Sequence, residues 1–261
     1  MRSHVLRLLP ALLLLLTAPV ARAQSNPPAP GVVVADTGML VIYDGSTVVG
    51  RETFAWENQG DSLHVTASAS RPFLDEKGNR VRFEKQMELV VDARDLGLKR
   101  YLSNQSFAGH TMVRGLLPED TVLTYYSETD EVGNAVRLVQ PPGRLFVLDS
   151  GLFSLFDVLT RSVVSKQFVT RRVQMLALSS DTLLTPVATL TRAPDDTLRI
   201  GRRRVPQRRY VFEDASVRFD LWADPQGRLQ RLTHTESGLR VERLPDETPA
   251  DRPRRAARPK R

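Results

Sequence analysis

The stretch from Asp149 to Val163, DSGLFSLFDVLTRSV, constrains the fold most, because it is the one convincing helix in a chain otherwise patterned for strands. Asp149 or Ser150 can cap its N-terminus, and Arg161 suits the negative end of the helix dipole. Its apolar residues fall at helical spacing and form a broad face, so the helix must pack against the strands. These residues are Leu152, Phe153, Leu155, Phe156, Val158 and Leu159.

Strand-like segments precede and follow this helix. Between Val81 and Asp92, apolar and polar side chains alternate as in a strand with one buried face, and Lys85 is the one break on the apolar side. Glycine and proline punctuate the chain about every 8–12 residues, which is typical of consecutive antiparallel strands. The sequence therefore predicts a mostly β protein. We expect a strongly curved antiparallel sheet, a half-barrel or open barrel, with one central helix packed on the concave face.

The two ends of the chain differ from this body. Residues 1–23 have the basic start, apolar run and A-x-A cleavage site of a secretory signal peptide. About 13 apolar residues are too few to cross a bilayer core that needs roughly 20. We therefore expect cleavage after Ala23, a periplasmic or secreted location, and no transmembrane segment in the mature chain. Residues 24–36 are typical of a Pro-rich linker, 37–244 of one β domain with its helix at 149–163, and 245–261 of a disordered basic tail.

Charge and cysteine content exclude several classes of protein. The formal net charge is +7, but the basic residues of the signal peptide and the tail account for it. The body between them carries a net charge of about −1, which argues against nucleic-acid binding. The chain has no cysteine, so it has no zinc–thiolate site, no thiol nucleophile and no lipobox cysteine.

No motif for catalysis is present. The four histidines are not spaced as metal ligands, and no nucleophile elbow, P-loop or dinucleotide fingerprint occurs. Glu84 and Glu88 fall on the polar face of their strand, away from any cleft. We therefore expect no catalytic residue, no metal and no cofactor, and a non-enzymatic protein. A hydrolase with an unrecognised site is kept as an alternative to the two principal hypotheses given below.

Two groups of residues are candidates for binding. The helix is either a fixed part of the core or a movable lid over an apolar cavity that could hold a lipid. An arginine-rich corner is either a solvated hairpin tip or a contact for anionic head groups, since arginine binds phosphate and carboxylate well. The cavity candidates are Phe54, Trp56, Phe83, Met87, Leu152, Phe153, Phe156, Leu159, Phe219 and Leu221, and the corner candidates are Arg202, Arg203, Arg204, Arg208 and Arg209.

Three segments carry a resemblance to a known group: the helix DSGLFSLFDVLTR, the hairpin VRFDLWADPQGRLQRL, and GLRVER after it. With the signal peptide and the long run of strands, they resemble uncharacterised periplasmic proteins of Gram-negative bacteria. Those proteins are similar to the LolA/LppX-like half-barrel carriers of lipoproteins and lipids. The resemblance covers most of residues 31–245. It implies a curved sheet wrapped around helices and a lipid or lipoprotein partner, and it implies no catalytic residue.

These observations leave two principal hypotheses. The first is an exported envelope protein that binds an apolar or amphipathic ligand, a lipid or an acyl chain, in the concave sheet. The second is a structural or interaction module with a filled core, which docks an envelope partner through its sheet edge or its basic tail. A cavity beneath Phe153 and Phe156 favours the first, and a filled core favours the second.

Overall fold

The computed structural model describes residues 36–74, 78–179, 182–200 and 203–245. The predicted signal peptide, most of the predicted linker and the tail from residue 246 onward lie outside these ranges. Within them the chain forms sixteen strands and one helix. The strands are β1 (Asp36–Asp44), β2 (Thr47–Gln59), β3 (Ser62–Leu74), β4 (Arg80–Asp92), β5 (Leu98–Phe107), β6 (His110–Glu119), β7 (Val122–Thr129), β8 (Val132–Val139), β9 (Leu145–Asp149), β10 (Thr170–Ser179), β11 (Thr182–Leu184), β12 (Val187–Ile200), β13 (Arg203–Glu213), β14 (Arg218–Ala223), β15 (Leu229–His234) and β16 (Leu239–Arg243).

Fifteen of these strands form one continuous antiparallel path. Its order is β11-β10-β12-β13-β14-β15-β16-β1-β2-β3-β4-β5-β6-β7-β8. The remaining strand, β9, lies off this path and pairs in parallel with β10. Strands β11 and β12 pair with β10 in one continuous register on one side, and β9 pairs with it on the other. The sheet is strongly curved but does not close, so β9 and β8 are its two edges in the described residues. The predicted mostly β fold with an open, curved sheet is confirmed.

Alternation along the strands places the core on the concave face. In β2, β3 and β4 every second side chain is buried, and the residues between them are largely polar. Register shifts within the β1–β2, β4–β5, β12–β13 and β14–β15 pairs interrupt the ladders. Such bulges bend a strand and increase its twist, which suits a sheet that must wrap around a core.

The helix α1 (Ser154–Val163) fills the concave side of the sheet, and all ten of its residues are buried. Phe156 meets the rings of Phe212 in β13 and Phe219 in β14 edge to face, with centroids 5.5 and 5.2 Å away. Burial on every side makes α1 a fixed part of the core in this structure. In the described part of the chain, no helix is both long and apolar enough to cross a membrane.

The helix starts five residues later than the sequence predicts. Asp149 ends strand β9, and the helix begins at Ser154 with Phe153 at the cap position. No local side chain caps it. The carboxylate of Glu52 in β2 accepts the backbone N–H groups of Phe153 and Ser154 at 2.7 and 3.0 Å. A residue about a hundred positions away in the chain therefore satisfies the free donors of the first turn.

Contacts with the β14–β15 turn hold the other half of the helix. The Thr160 hydroxyl donates to the Gly227 carbonyl at 2.7 Å, and the Asp157 carboxylate accepts the Leu229 N–H at 2.6 Å. Asp157 also accepts a hydrogen bond from Arg161 at 2.7 Å. These bonds satisfy buried polar groups that would otherwise destabilise the fold.

An ion-pair network joins the helix to the first and last strands. Arg161 and Arg243 both bind the carboxylate of Asp36, and Arg161 lies 4.5 Å over the ring of Trp56. Burial works to raise the pKa of Asp36, but the hydrogen bond and charge of Arg243 and those of Arg161 outweigh it. The pKa of Asp36 therefore lies below its ordinary value of 3.8, and the carboxylate stays charged. Asp36, assigned to the linker from the sequence, is thus the first residue of the sheet.

Gly227 lies very close to the end of the helix, and a larger side chain there tests whether this contact holds the helix in place. Gly227 has φ of +85°, and an added Cβ would lie 2.8 Å from Cα of Arg161 and 3.0 Å from Cβ of Val164. We expect Gly227→Ala to lower the free energy of unfolding by about 3 kcal/mol, since it adds overpacking to backbone strain. The control is Gly45→Ala, where φ is +56° and nothing lies within 4 Å, so only about 1 kcal/mol is expected. Urea unfolding measures both, and equal losses would contradict the contact.

Candidate functional site

The predicted cavity residues come together on the concave face, but they pack against one another. Eight of the ten are buried, and Phe83 and Phe219 are partly buried. The cavity found beside the helix has a volume of about 10 Å³ and is lined by β4, β9 and the helix. That is the room of about one water molecule, far too little for an acyl chain. Its lining residues are Leu89, Val91, Leu96, Leu98, Leu145, Phe146, Val147, Leu155 and Val158.

The predicted arginine corner is not one surface. Arg203 and Arg204 are exposed at the start of β13, and Arg202 lies outside the described residues. Arg208 donates to the carbonyl of Val164 just beyond the helix. Arg209 binds Asp220 at 2.7 Å and lies over the ring of Trp222. The last two arginines therefore make contacts within the protein, which the sequence alone could not show.

A buried polar cluster surrounds the carboxylate of Asp149. Tyr101 donates to it at 2.5 Å and Ser103 at 3.0 Å, while Lys85 and Arg114 form ion pairs with it. Lys85 and Asp149 are almost completely buried. Burial lowers the pKa of Lys85 despite the attraction of Asp149, and burial together with the charge of Asp149 raises the pKa of Tyr101 well above its ordinary value.

The residue types in this cluster also occur in catalytic sites. Their geometry, however, indicates a structural role, because it links strands to one another. The hydroxyls of Tyr101 and Ser103 and the cations of Lys85 and Arg114 all point at one carboxylate. These four side chains come from β4, β5 and β6, whereas Asp149 ends β9. The ion pairs therefore tie β9, which pairs with β10 near one edge, to strands near the opposite edge.

Sequence reasoning missed this cluster, although one signal was present. Lys85 interrupts an otherwise apolar face of β4, and a lysine in that position needs a buried partner. Asp149 was interpreted as a helix cap because it precedes an apolar run. Its actual partners lie 35 to 64 residues away, and no local pattern identifies them.

Beyond the N-terminus of the helix, the concave face is open and aromatic. Phe73, Phe83 and Phe107 lie on β3, β4 and β5, and the ring of Phe73 meets the other two edge to face at 6.2 and 5.7 Å. Phe73 is 43% exposed and Phe107 is 36% exposed. We call these three rings and Arg71 the mouth site. Of the predicted cavity residues, Phe83 is the one that belongs to it.

Arg71 forms the polar end of the mouth site. Its guanidinium donates to the Gly151 carbonyl at 2.8 Å and lies over the rings of Phe83 and Phe153, 5.9 and 5.2 Å from their centroids. Its Nε has no hydrogen-bond partner among the described residues. Burial lowers the pKa of Arg71, while the charge of Glu52 opposes that shift. Burial also raises the pKa of Glu52, against the hydrogen bonds that it accepts from Ser154 and Phe153.

The described histidines do not converge on one another. His64 lies near Glu88, His110 binds Asp130, and His234 contacts Ser237. In the ranges that the structure covers, no group of three or more histidine, aspartate or glutamate side chains could hold a metal ion.

Comparison with known proteins identifies the fold and no more. No protein-family model matches the chain, and no curated protein matches it. Among solved structures, it is similar to a beta-barrel-like protein of domain of unknown function DUF1849 from Brucella abortus, with a TM-score of 0.52 and 10% identity over 81% of this chain and 96% of that one. A DUF1089 family protein from Pseudomonas aeruginosa has a TM-score of 0.45 and 14% identity over 68% and 86% of the two chains. The first likeness shows a barrel-like fold shared with a protein of unknown function.

Removing the charge of Asp149 tests the role of the buried cluster. Asp149→Asn leaves the cations of Lys85 and Arg114 facing a neutral group in a buried site. We expect a loss of about 3–5 kcal/mol in the free energy of unfolding, measured by denaturant titration. The control is Asp130→Asn, whose partner His110 is exposed, and it should change stability little. If Asp149→Asn and Asp130→Asn were equally stable, the account in which the cluster holds β9 in place would be contradicted.

Proposed function

We propose that this is an exported, non-enzymatic envelope protein that binds an anionic amphiphile at the mouth site. The mature chain would begin at Gln24, after cleavage of residues 1–23. The head group would pair with Arg71, and the hydrocarbon chain would lie across Phe73 and Phe107. The observation that carries the proposal is an exposed aromatic surface beside a half-buried guanidinium at the open end of a filled half-barrel.

The filled core supports the mouth as the place of binding. Room for about one water beside the helix is not enough for a chain of methylene groups. The mouth site, by contrast, offers apolar area that a ligand can cover without moving the helix. Covering a phenylalanine ring is worth roughly 1.5–3 kcal/mol, so two partly exposed rings can hold a single chain with modest affinity.

The charge of the mouth site supports an anionic head group. The side chains of Arg71, Lys85 and Arg114 lie in or next to it, against Asp149 and Glu52. Asp149 is already bound by two of these cations. Arg71 forms no salt bridge within 4 Å with a carboxylate of the described residues, and Glu52 attracts its charge from a greater distance. Arginine binds carboxylate and phosphate through two parallel hydrogen bonds, and both are head groups of envelope lipids.

A non-enzymatic role is consistent with the buried cluster. Its hydroxyls and cations all bind Asp149, and Lys85 and Asp149 are out of reach of solvent. A substrate could reach such groups only after β9 had separated from β4 and β5. We therefore interpret the cluster as structural.

Native mass spectrometry tests the proposal on protein from the envelope fraction of its native host. We expect an intact mass beginning at Gln24 and a co-purified or added single-chain anion such as laurate. Phe73→Ser with Phe107→Ser should weaken laurate binding at least about tenfold, because two apolar contacts are lost. Val48→Ser is the control, since Val48 is similarly exposed at 48% and lies outside the mouth site.

Head-group charge gives the second arm of this test. Dodecyltrimethylammonium has a chain of similar length and the opposite charge, so we expect it to bind much more weakly than laurate below the micellar concentration. Arg71→Gln should reduce that difference. Two results would overturn the mouth site as the place of binding. One is equal affinity for laurate and dodecyltrimethylammonium, and the other is an equal loss of laurate affinity in Val48→Ser and in the double phenylalanine variant.

A further inference from the structure

One edge of the sheet is long and has no neighbouring strand on its outer side in the described ranges. Strand β8 has eight residues and pairs with β7 alone among the described strands. The opposite edge, β9, has five residues, and all of them are buried or partly buried. Seven of the eight β8 residues are exposed, and Val132 and Val139 are 78% and 87% exposed. Strands of this kind pair readily with another chain.

The devices that usually protect an edge are largely absent from β8. Its pairing with β7 has no register shift, it contains no proline, and Arg137 is its one charged residue. An apolar edge strand of this length, paired without a bulge, can pair with a further strand. It is a separate feature from the mouth site, so a proposal here does not depend on the amphiphile.

The turn before β8 determines which of its backbone groups are free. Asp130 and Glu131 both have positive φ, as in the two-residue hairpin turn of type I′. In such a hairpin Thr129 and Val132 exchange both hydrogen bonds, and hydrogen-bonded and free pairs then alternate. The N–H of Gln140 donates to Thr121 at 2.8 Å, which confirms that the even-numbered residues bond to β7. The odd-numbered residues, Gly133, Ala135, Arg137 and Val139, direct their N–H and C=O groups to the open side.

From this edge we infer that β8 pairs with β8 of a second copy of the chain. The two strands would run antiparallel about a two-fold axis at Val136, perpendicular to the sheet. In that register Arg137 lies opposite Ala135 and Gly133 lies opposite Val139. All four open residues of each copy find hydrogen-bond partners, and both concave faces remain on the same side.

Charge and packing favour this register over its neighbours. A register centred on Arg137 would place the two guanidiniums opposite each other, which is destabilising. A register centred on Ala135 would place Val139 opposite Glu131 in the turn. The register centred on Val136 puts Val136 against its own copy. It also places the copy's Arg137 opposite Ala135 and diagonal to Gly133, near Glu128 of β7 and beside the Tyr126 ring that packs over Gly133.

The size of the contact predicts a weak dimer. One pair of short strands buries less than the roughly 1,200 Å² of stable interfaces, so we expect a dissociation constant on the order of 100 µM. Sedimentation velocity of the full mature chain, from roughly 10 µM to 1 mM, should show the mean mass rising towards that of a dimer.

Ala135→Pro removes one N–H from the open side and leaves the β7 ladder intact. We expect it to weaken the dimer at least tenfold, while Ala135→Ser, which keeps the N–H, should leave it unchanged. A second variant, Val139→Asp, adds a charge near Glu128 of the copy at an exposed position. It should also weaken the dimer at least tenfold, and circular dichroism confirms that each variant is folded.

Amide exchange by NMR distinguishes this contact from any other. With rising concentration, the amides of Gly133, Ala135, Arg137 and Val139 should become protected, while those of the even-numbered residues are protected throughout. A monomer at all concentrations, or an Ala135→Pro variant that dimerises as well as Ala135→Ser, would overturn the proposal. A dimer that protects backbone amides elsewhere on the sheet, and not those of β8, would also overturn the proposal.

Discussion

The carboxylate of Asp149 makes the interaction on which the architecture depends. The curved sheet does not close on itself, so its two halves need another connection. Strand β9 supplies it, because it pairs with β10 in one half and its last residue binds Lys85, Tyr101, Ser103 and Arg114 in the other. A buried ion pair adds little net stability compared with apolar packing, but breaking it is costly. The cluster therefore fixes where β9 and the helix after it must lie.

The helix is held in the same manner along its length. Glu52 binds its first turn from β2, and Asp157 and Thr160 bind the β14–β15 turn. Arg161 links it to Asp36, at the start of the sheet. Polar contacts at both ends and apolar contacts between them hold the helix against the sheet in this structure. For this reason we propose that a ligand binds at the mouth site, where Phe73 and Phe107 are exposed, and not in the core as the sequence suggested.

The sequence predicts what depends on local pattern. The alternation in Val81–Asp92 identified β4. The apolar run after Ser150 identified the helix and its last residue, Val163, but not its first. Local pattern failed where a partner lies far along the chain. Asp149 ends β9 and does not cap the helix, because its partners Lys85 and Arg114 lie far along the chain.

Long-range pairing also explains what could not be predicted of the candidate sites. Arg71 and Phe73 lie on β3 and Phe107 ends β5, and only the β3–β4–β5 register brings them together. Phe83 was identified as a cavity residue because it lies on the apolar face of β4. The open edge at β8 depends on the strand order of the whole sheet, which a single sequence does not show.

Native-state hydrogen exchange of β9 and α1 tests the central claim most directly. If Asp149 and Glu52 fix this segment in the sheet, its amides should exchange only by global unfolding, with the same free energy as the core strands β2 to β4. Exchange of the α1 amides at a clearly lower free energy, with those strands still protected, would contradict the account. The helix would then be a lid that opens on its own.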